Sequence, residues 1–450
     1  MSERDRADAV YAALLQRHGE AWVEPRLERT RRVLELLDDP QRTYRVVHVT
    51  GTNGKTSTSR MIESLVRAHG LRTGLFTSPH LERFTERIVI DGEPISDTAV
   101  ADAWEEIAPV AALVDAQLRD AGEAPLTFFE LLTVLAFVAF ADAPVDVAVV
   151  EVGMGGSWDA TNTADGDVAV IGPVGMDHAD RLGDTPTAIA GVKAGIIKPG
   201  AIVVSAAQET EVGDVLDAAT AAAGATIGYE GAAFGMDAHR LAVGGQVLDI
   251  RGRDGSYRDV YLPLHGLHQG RNAALAVAAV EALLAAPGET LAADVVAEGL
   301  AQVTSPGRLQ LIGTAPTVLV DAAHNPHGMR ALVAALQDSF DFDGWAVVLG
   351  VLADKDAAAI LDALHALPGR IFATAPASDR ARDPDDLADL AERREMPVSV
   401  HPDLTDAAAA ARAWAEGAPR RAVVIAGSVV LAGEAITLAR DGDWKTGGQE

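Results

Sequence analysis

Thr50-Gly51-Thr52-Asn53-Gly54-Lys55-Thr56 lies between a buried-looking β run, Arg45–Thr50 (RVVHVT), and an amphipathic stretch over residues 56–69. Small residues here let backbone N–H groups approach phosphate oxygens at a helix N-terminus. Lys55 can reach terminal phosphates, and the Thr56 hydroxyl suits a Mg²⁺ ion. The pattern G-x-x-x-x-G-K-[ST] is not fully met, because Val49 stands five positions before Gly54; Gly51 offers a tighter Gly-x-x-Gly-Lys-Thr version. The plain alternative is a glycine turn before a helix with an incidental lysine. Against it stands the scarcity of lysine: Lys55, Lys193, Lys198, Lys355 and Lys445 are the five lysines among 37 basic residues. Where arginine is the default surface cation, a lysine in an ordered segment is a candidate for work arginine cannot do. ATP binding is the better reading of Gly51, Thr52, Asn53, Gly54, Lys55 and Thr56.

Outward from this loop, strand-like runs (145–151, Val168–Ile171 with Gly172, 201–205) alternate with helical patterns such as 128–141. Such alternation implies a parallel sheet flanked by helices. Short β-rich inserts at 87–94 and about 240–262 interrupt it. A break at Thr304-Ser305-Pro306-Gly307 follows, and the alternation restarts with runs at 317–321, 346–350, 370–374 and 422–426. The division expected is a large domain over 1–303 and a smaller doubly wound domain over 304–450. The chain has 450 residues, a formal charge of −28, 48% hydrophobic residues and no cysteine. Disulfides, thiolate zinc sites and cysteine nucleophiles are excluded, and the mean field disfavours nucleic acid and anionic membranes. Residues 1–10 lack the apolar core of a signal peptide, and 131–141 is too short to span a bilayer, so a cytoplasmic protein is expected.

Ligands of a parallel sheet bind beyond the carboxyl ends of its strands. Ser78, Glu151 and His178 all fall at such ends, a set that suits Mg²⁺ near a nucleotide. Each alone also reads as a helix cap or a buried polar anchor. Lys193, in small apolar company, reads most simply as a surface lysine snorkelling from a helix. The less ordinary reading is a buried amine able to take up CO₂ as a carbamate. In the second domain Arg308 follows the break, and Asp321 ends a strand where an acid can accept from ribose hydroxyls. His324 precedes a helix and Ser428 follows a strand; helix capping is the alternative for the His324-Asn325-Pro326 segment.

Taken together, these motifs resemble the folylpolyglutamate synthase/dihydrofolate synthase family within the Mur-ligase superfamily. The loop Thr50–Thr56 is shared with Mur ligases generally. The folate branch is marked by Thr77-Ser78-Pro79-His80-Leu81, Phe84-Thr85-Glu86-Arg87-Ile88 and Glu151-Val152-Gly153-Met154-Gly155-Gly156. Further marks are Asp159-Ala160-Thr161-Asn162, Gly266-Leu267-His268-Gln269, Pro306-Gly307-Arg308 and Asp321-Ala322-Ala323-His324-Asn325-Pro326. The resemblance implies an α/β, Mur-ligase-like fold: a P-loop parallel-sheet ATPase domain followed by a smaller Rossmann-like domain that binds glutamate. It implies two Mg²⁺ ions held by Ser78, Glu151, His178 and a carbamylated Lys193, with Lys55, Lys193 and His178 serving catalysis. It implies ATP on the loop and on Asn272, Arg308 and Asp321, and glutamate at His324 and Ser428. The pterin or folate pocket maps to Thr127, Phe128, Phe129, Glu130, Trp158, Asp159 and Ala160, and more weakly to residues 22–24. Family members often carry Asn at Thr85 and Glu at Val192.

The chemistry expected is ATP-dependent amide ligation of L-glutamate to a pteroate or folate through an acyl phosphate, by a monomer acting on small molecules. Rival readings are a Mur-type ligase acting on peptidoglycan precursors and a non-catalytic ATP-binding switch.

Overall fold

The computed structural model describes residues 2–19, 22, 24–177, 179–442 and 444. The chain divides into two compact units. One comprises Met1–Arg240, Val247–Leu262 and Gly270–Val303; the other comprises Leu241–Gln246, Pro263–Gln269 and Thr304–Glu450. Two short segments, 241–246 and 263–269, group with the second unit.

The first unit is built on an eight-stranded sheet. Its spatial order is Glu93–Pro94, Ile88–Ile90, Thr73–Phe76, Val147–Glu151, Arg45–Thr50, Val168–Ile171, Ile202–Ser205 and Thr226–Tyr229. The first two strands are antiparallel additions at one edge, and the remaining six run parallel. Arg45–Thr50 is central and buried beyond its first residue, as continuous Val-rich runs covered on both faces should be. Helix Lys55–Ala68 starts directly after the phosphate loop and buries Met61, Ile62, Leu65 and Val66, the 3.6-residue stripe visible in its sequence. Helix Phe128–Asp142 is buried almost all round, packing between the helices Glu3–Leu15 and Asp97–Asp120. It is a core helix, and no helix among the described residues is long and apolar enough to cross a membrane. A separate three-stranded sheet joins Gly235–Ala242, Gly245–Arg251 and Ser256–Leu262.

The second unit holds a six-stranded sheet in the order Gln310–Thr314, Thr317–Val320, Arg421–Ala426, Gly344–Leu349, Gly369–Ala373 and Val398–Val400. Its first pair is antiparallel and the rest parallel. Trp345, Val347, Leu349, Val424 and Leu336 lie in its core.

Candidate active site

Register places the site before any side chain is considered. In the first sheet Val49 pairs with Glu151, Phe76 with Val150, and Thr50 with Ile171. Four adjacent parallel strands thus end side by side, each roughly 4.8 Å from the next. Beyond these ends lie Ser78, Glu151, the phosphate loop and the segment leading to residue 178.

Gly54 has φ +81° and begins the helix Lys55–Ala68, so the helix N-terminus and its unpaired N–H groups face the loop. A Cβ at Gly54 would stand 2.8 Å from Asn272 Oδ1, which ties Asn272 to the loop's surface. Thr52 braces the loop from the far side, its N–H donating to Pro173 O at 2.9 Å and its hydroxyl to Gly175 O at 3.0 Å. Lys55 Nζ donates to Gly51 O at 3.1 Å. Thr56 Oγ1 donates to the Glu151 carboxylate, 2.9 and 3.0 Å from its two oxygens. Glu151 is 1% exposed, a buried carboxylate held against the hydroxyl at the start of the helix that follows the loop.

Lys193 is not a snorkelling surface lysine. Only 3% exposed, it ends the helix Pro186–Lys193 and donates from Nζ to Gly51 O at 2.8 Å. Burial first, and the positive Lys55 second, bring its amine down from 10.5 to about 7. Such an amine spends part of its time neutral near physiological pH, the form that can react with CO₂. Close backbone approaches hold it there: a Cβ on Gly156 would stand 2.7 Å from Val192 O and 2.8 Å from Lys193 O. Ser78 is half-buried just past Thr73–Phe76. His178 lies outside the described residues. Among the described residues, no three His, Cys, Asp or Glu side chains form a metal cluster. A Mg²⁺ ion fits Glu151 and Thr56, which supply a buried carboxylate and a hydroxyl; Lys193 as an ammonium is a donor and fits only as its carbamate.

The residues assigned to a pterin pocket surround the loop after Glu151. Phe129 faces Gly153 so closely that a Cβ there would lie 2.5 Å from Phe129 Cζ, and Trp158 approaches Gly155. Others are engaged in holding the protein together. Thr127 caps the helix Phe128–Asp142, and Glu130 accepts from Thr127 N at 2.7 Å while pairing with buried Arg29. The Thr-x-x-Glu spacing that signals this capping box was legible in the sequence. Asp159 accepts from Met154 N at 2.9 Å and from Thr161 N at 3.0 Å. Burial raises its carboxyl, against the pull of those donors. Ala160 is buried at the start of the short helix that Asp159 caps. In residues 22–24, Trp22 stacks on His18, with ring centroids 4.3 Å apart, and Glu24 pairs with Arg29 at 2.9 Å.

In the second unit, Asp321 Oδ2 accepts from Leu309 N at 2.9 Å and Oδ1 from Ala323 N at 2.8 Å. Burial raises the Asp321 carboxyl, and Arg308 opposes this. Gly427 N donates to Ala323 O at 2.9 Å, so the loops carrying His324 and Ser428 lie side by side. His324 Nδ1 is 3.0 Å from Ala322 O. Asn325 caps the helix Pro326–Ser339, leaving His324 outside that role. Ser428 caps the helix Val429–Asp441, accepting from Val430 N at 3.2 Å. Sequence reasoning missed the Thr56–Glu151 bond and Arg29; no local pattern announces the first, since its partners are 95 positions apart.

Comparison with known proteins places this arrangement. Residues 49–280 match the Mur ligase middle domain, and residues 307–429 match the "Mur ligase, glutamate ligase domain". The dihydrofolate synthase/folylpolyglutamate synthase of Mycobacterium tuberculosis is 46% identical over 446 residues, covering 94% of this chain and 92% of that protein. A solved folylpolyglutamate synthase from Mycobacterium tuberculosis, complexed with ADP, superposes with TM-score 0.92 at 46% identity, over 97% of this chain and 99% of that one. A folylpolyglutamate synthase complex with AMPPCP and folate superposes with TM-score 0.83 at 33% identity, over 97% and 100%. This chain belongs to the dihydrofolate synthase/folylpolyglutamate synthase family of ATP-dependent ligases, on a Mur-ligase scaffold.

Proposed function

We propose that this chain joins L-glutamate to the carboxylate of a pteroate or folate at the expense of ATP. The observation that carries the reading is Lys193 Nζ, buried and 2.8 Å from the Gly51 carbonyl, beside the Thr56–Glu151 pair. A nucleotide switch needs no buried reactive amine at its phosphate loop, whereas phosphoryl transfer needs charge concentrated there.

Gly51–Gly54 and the N-terminus of the helix Lys55–Ala68 bind the phosphates, and Lys55 offsets the charge that moves onto the bridging oxygen. The γ-phosphoryl passes to an oxygen of the substrate carboxylate, its bond to ADP breaking as the acyl phosphate forms. The glutamate amine then attacks the acyl carbon, phosphate leaves, and a proton is lost from nitrogen. Two Mg²⁺ ions, when bound, supply positive charge to the transferring phosphoryl group. Glu151, Thr56, Ser78, His178 and a carbamylated Lys193 would hold them. Asn272, Arg308 and Asp321 are assigned to ATP, and His324 and Ser428 to the incoming glutamate. Phe129, Trp158 and the 153–160 loop are assigned to the pterin, with Thr127, Phe128, Glu130, Asp159 and Ala160 shaping its walls. The enzyme acts as a monomer.

The assay is ADP release with dihydropteroate plus L-glutamate, then with a tetrahydrofolate plus L-glutamate. Glutamate-dependent turnover is expected with at least one acceptor; none with either overturns the assignment.

A further inference from the structure

His48 and Thr50 are two residues apart on the strand Arg45–Thr50 and therefore share one face of the sheet. Both reach into the segment that follows Glu151. Thr50 Oγ1 donates to Gly155 O at 2.8 Å, and His48 Nε2 lies 2.9 Å from Thr161 Oγ1. A threonine hydroxyl has one proton, and that of Thr161 goes to Asp159. Its oxygen can therefore only accept from the imidazole, which fixes His48 as the Nε2–H tautomer. Nδ1 is buried with no hydrogen-bond partner among the described residues. Burial, helped by the positive Lys198, pushes this imidazole down to about 3, so it stays neutral.

From Thr161 the chain continues. Asp159 collects Thr161 N and Oγ1 together with the backbone N–H of Met154 and Gly153. A hydrogen-bonded line thus runs from the centre of the sheet to the backbone of Gly153-Met154, through His48, Thr161 and Asp159, all at most 4% exposed. Gly153 is where Phe129 packs with no room for a side chain. Interior strand positions of a parallel sheet are ordinarily aliphatic. An imidazole that leaves one nitrogen unpaired is tolerated here because its other nitrogen fixes something outside the sheet.

We propose that His48 is a positioning residue for the pterin-bearing substrate: through Thr161 and Asp159 it fixes the Gly153-Met154 backbone against Phe129 without touching the substrate itself. This rests on the assignment of residues 127–130 and 158–160 to the pterin subsite. Two polar side chains from one strand face, Thr50 and His48, then divide the labour. Thr50 ties the segment to the phosphate loop, and His48 sets the shape of its outer turn.

The test is steady-state kinetics of the full-length enzyme with KM measured separately for ATP and for the pteroate or folate acceptor. Wild-type turnover is established first, and its absence defeats the functional reading rather than this one. His48→Leu is expected to raise acceptor KM by roughly 5–10-fold, the effect of losing one buried hydrogen bond, with ATP KM unchanged. His48→Gln, which keeps an N–H donor at similar reach, recovers most of that loss. The double variant His48→Leu/Thr161→Val is no worse than either single one, because both cut the same line. Should His48→Leu fail to fold, Thr161→Val against Thr161→Ser carries the same test, the hydroxyl-retaining variant keeping wild-type acceptor KM. Unchanged acceptor KM in the hydroxyl- or imidazole-deleted variants, equal rises for ATP and acceptor, or multiplicative effects in the double variant would each overturn the proposal.

Discussion

Replacing Lys193 with methionine removes a buried ammonium and leaves an unbranched chain of similar length. The Lys193 amine sits at about 7 in the folded protein and 10.5 in the unfolded chain, chiefly through burial and then through Lys55. Between those values the unfolded chain binds the extra proton, so stability rises with pH across that window. Below it both states are charged and the whole cost of burying the ammonium is present; above it there is none. At about 1.4 kcal/mol for each pH unit, the span amounts to roughly 3–5 kcal/mol. Methionine escapes this cost but gives up the 2.8 Å bond to Gly51 O, a loss of about 1 kcal/mol. K193M is therefore expected to be more stable than the wild type by about 2–4 kcal/mol near neutral pH. That advantage disappears toward about pH 10, while glutamate-dependent ADP release is lost. The assay is urea denaturation in bicarbonate-free buffer at several pH values between about 6.5 and 10, with ligase activity alongside. Parallel stability–pH curves for the two proteins, or a K193M that is less stable at about pH 6.5, would refute the reasoning.

Three further outcomes follow from close contacts and paired charges. Gly54→Ala forces a left-handed φ of +81° on alanine and sets its Cβ 2.8 Å from Asn272 Oδ1. The backbone term alone costs about 1–2 kcal/mol, so calorimetry should show ADP binding weakened by roughly tenfold or more; unchanged affinity contradicts the loop's role. Gly156→Ala presses on the carbonyl oxygens of Val192 and Lys193. A loss of about 1–3 kcal/mol in thermal denaturation is expected together with reduced kcat, as Lys193 moves from Gly51. Arg29→Met strands Glu130, whose side chain is 7% exposed, and should cost about 3–5 kcal/mol; adding Glu130→Gln should restore much of it, measured by the midpoint of unfolding.

The phosphate loop and the parallel strands were legible because their signals are local: continuous Val-rich runs, then glycines, then an apolar stripe of helical period. The strands Thr226–Tyr229, Gln310–Thr314 and Val398–Val400 were not, because all three are partly exposed and lack a continuous apolar run. Lys193 shows the limit most clearly. Its neighbours Ala190, Gly191 and Ala194 are small, which fits a surface helix as well as a buried one. Burial comes from the glycine-rich loop packing over it, a contact set by tertiary structure. Thr127 and Glu130 show the opposite lapse. The resemblance directed attention to a substrate pocket, while their spacing already spelled a helix cap. The line from His48 to Met154 joins one strand to a segment that begins more than a hundred residues later, His48 and Thr161 standing 113 positions apart, so only the assembled sheet reveals it.

The chain carries a formal charge of −28, yet Lys55 and Lys193 both point their ammonium groups at one carbonyl oxygen, at 3.1 and 2.8 Å. Until Lys193 takes up CO₂, far field and near field therefore have opposite signs. The whole-chain repulsion acts on an approaching nucleotide only within the Debye length, about 30 Å at 0.01 M salt and about 8–10 Å near physiological ionic strength; close to the loop the nearby ammonium takes over. Salt screens the distant repulsion more than the short-range attraction, so added salt speeds arrival and also loosens the grip. Association and dissociation quicken together, and affinity changes less than either rate. For an enzyme that must release ADP after every glutamate added, such a field trades residence time for turnover.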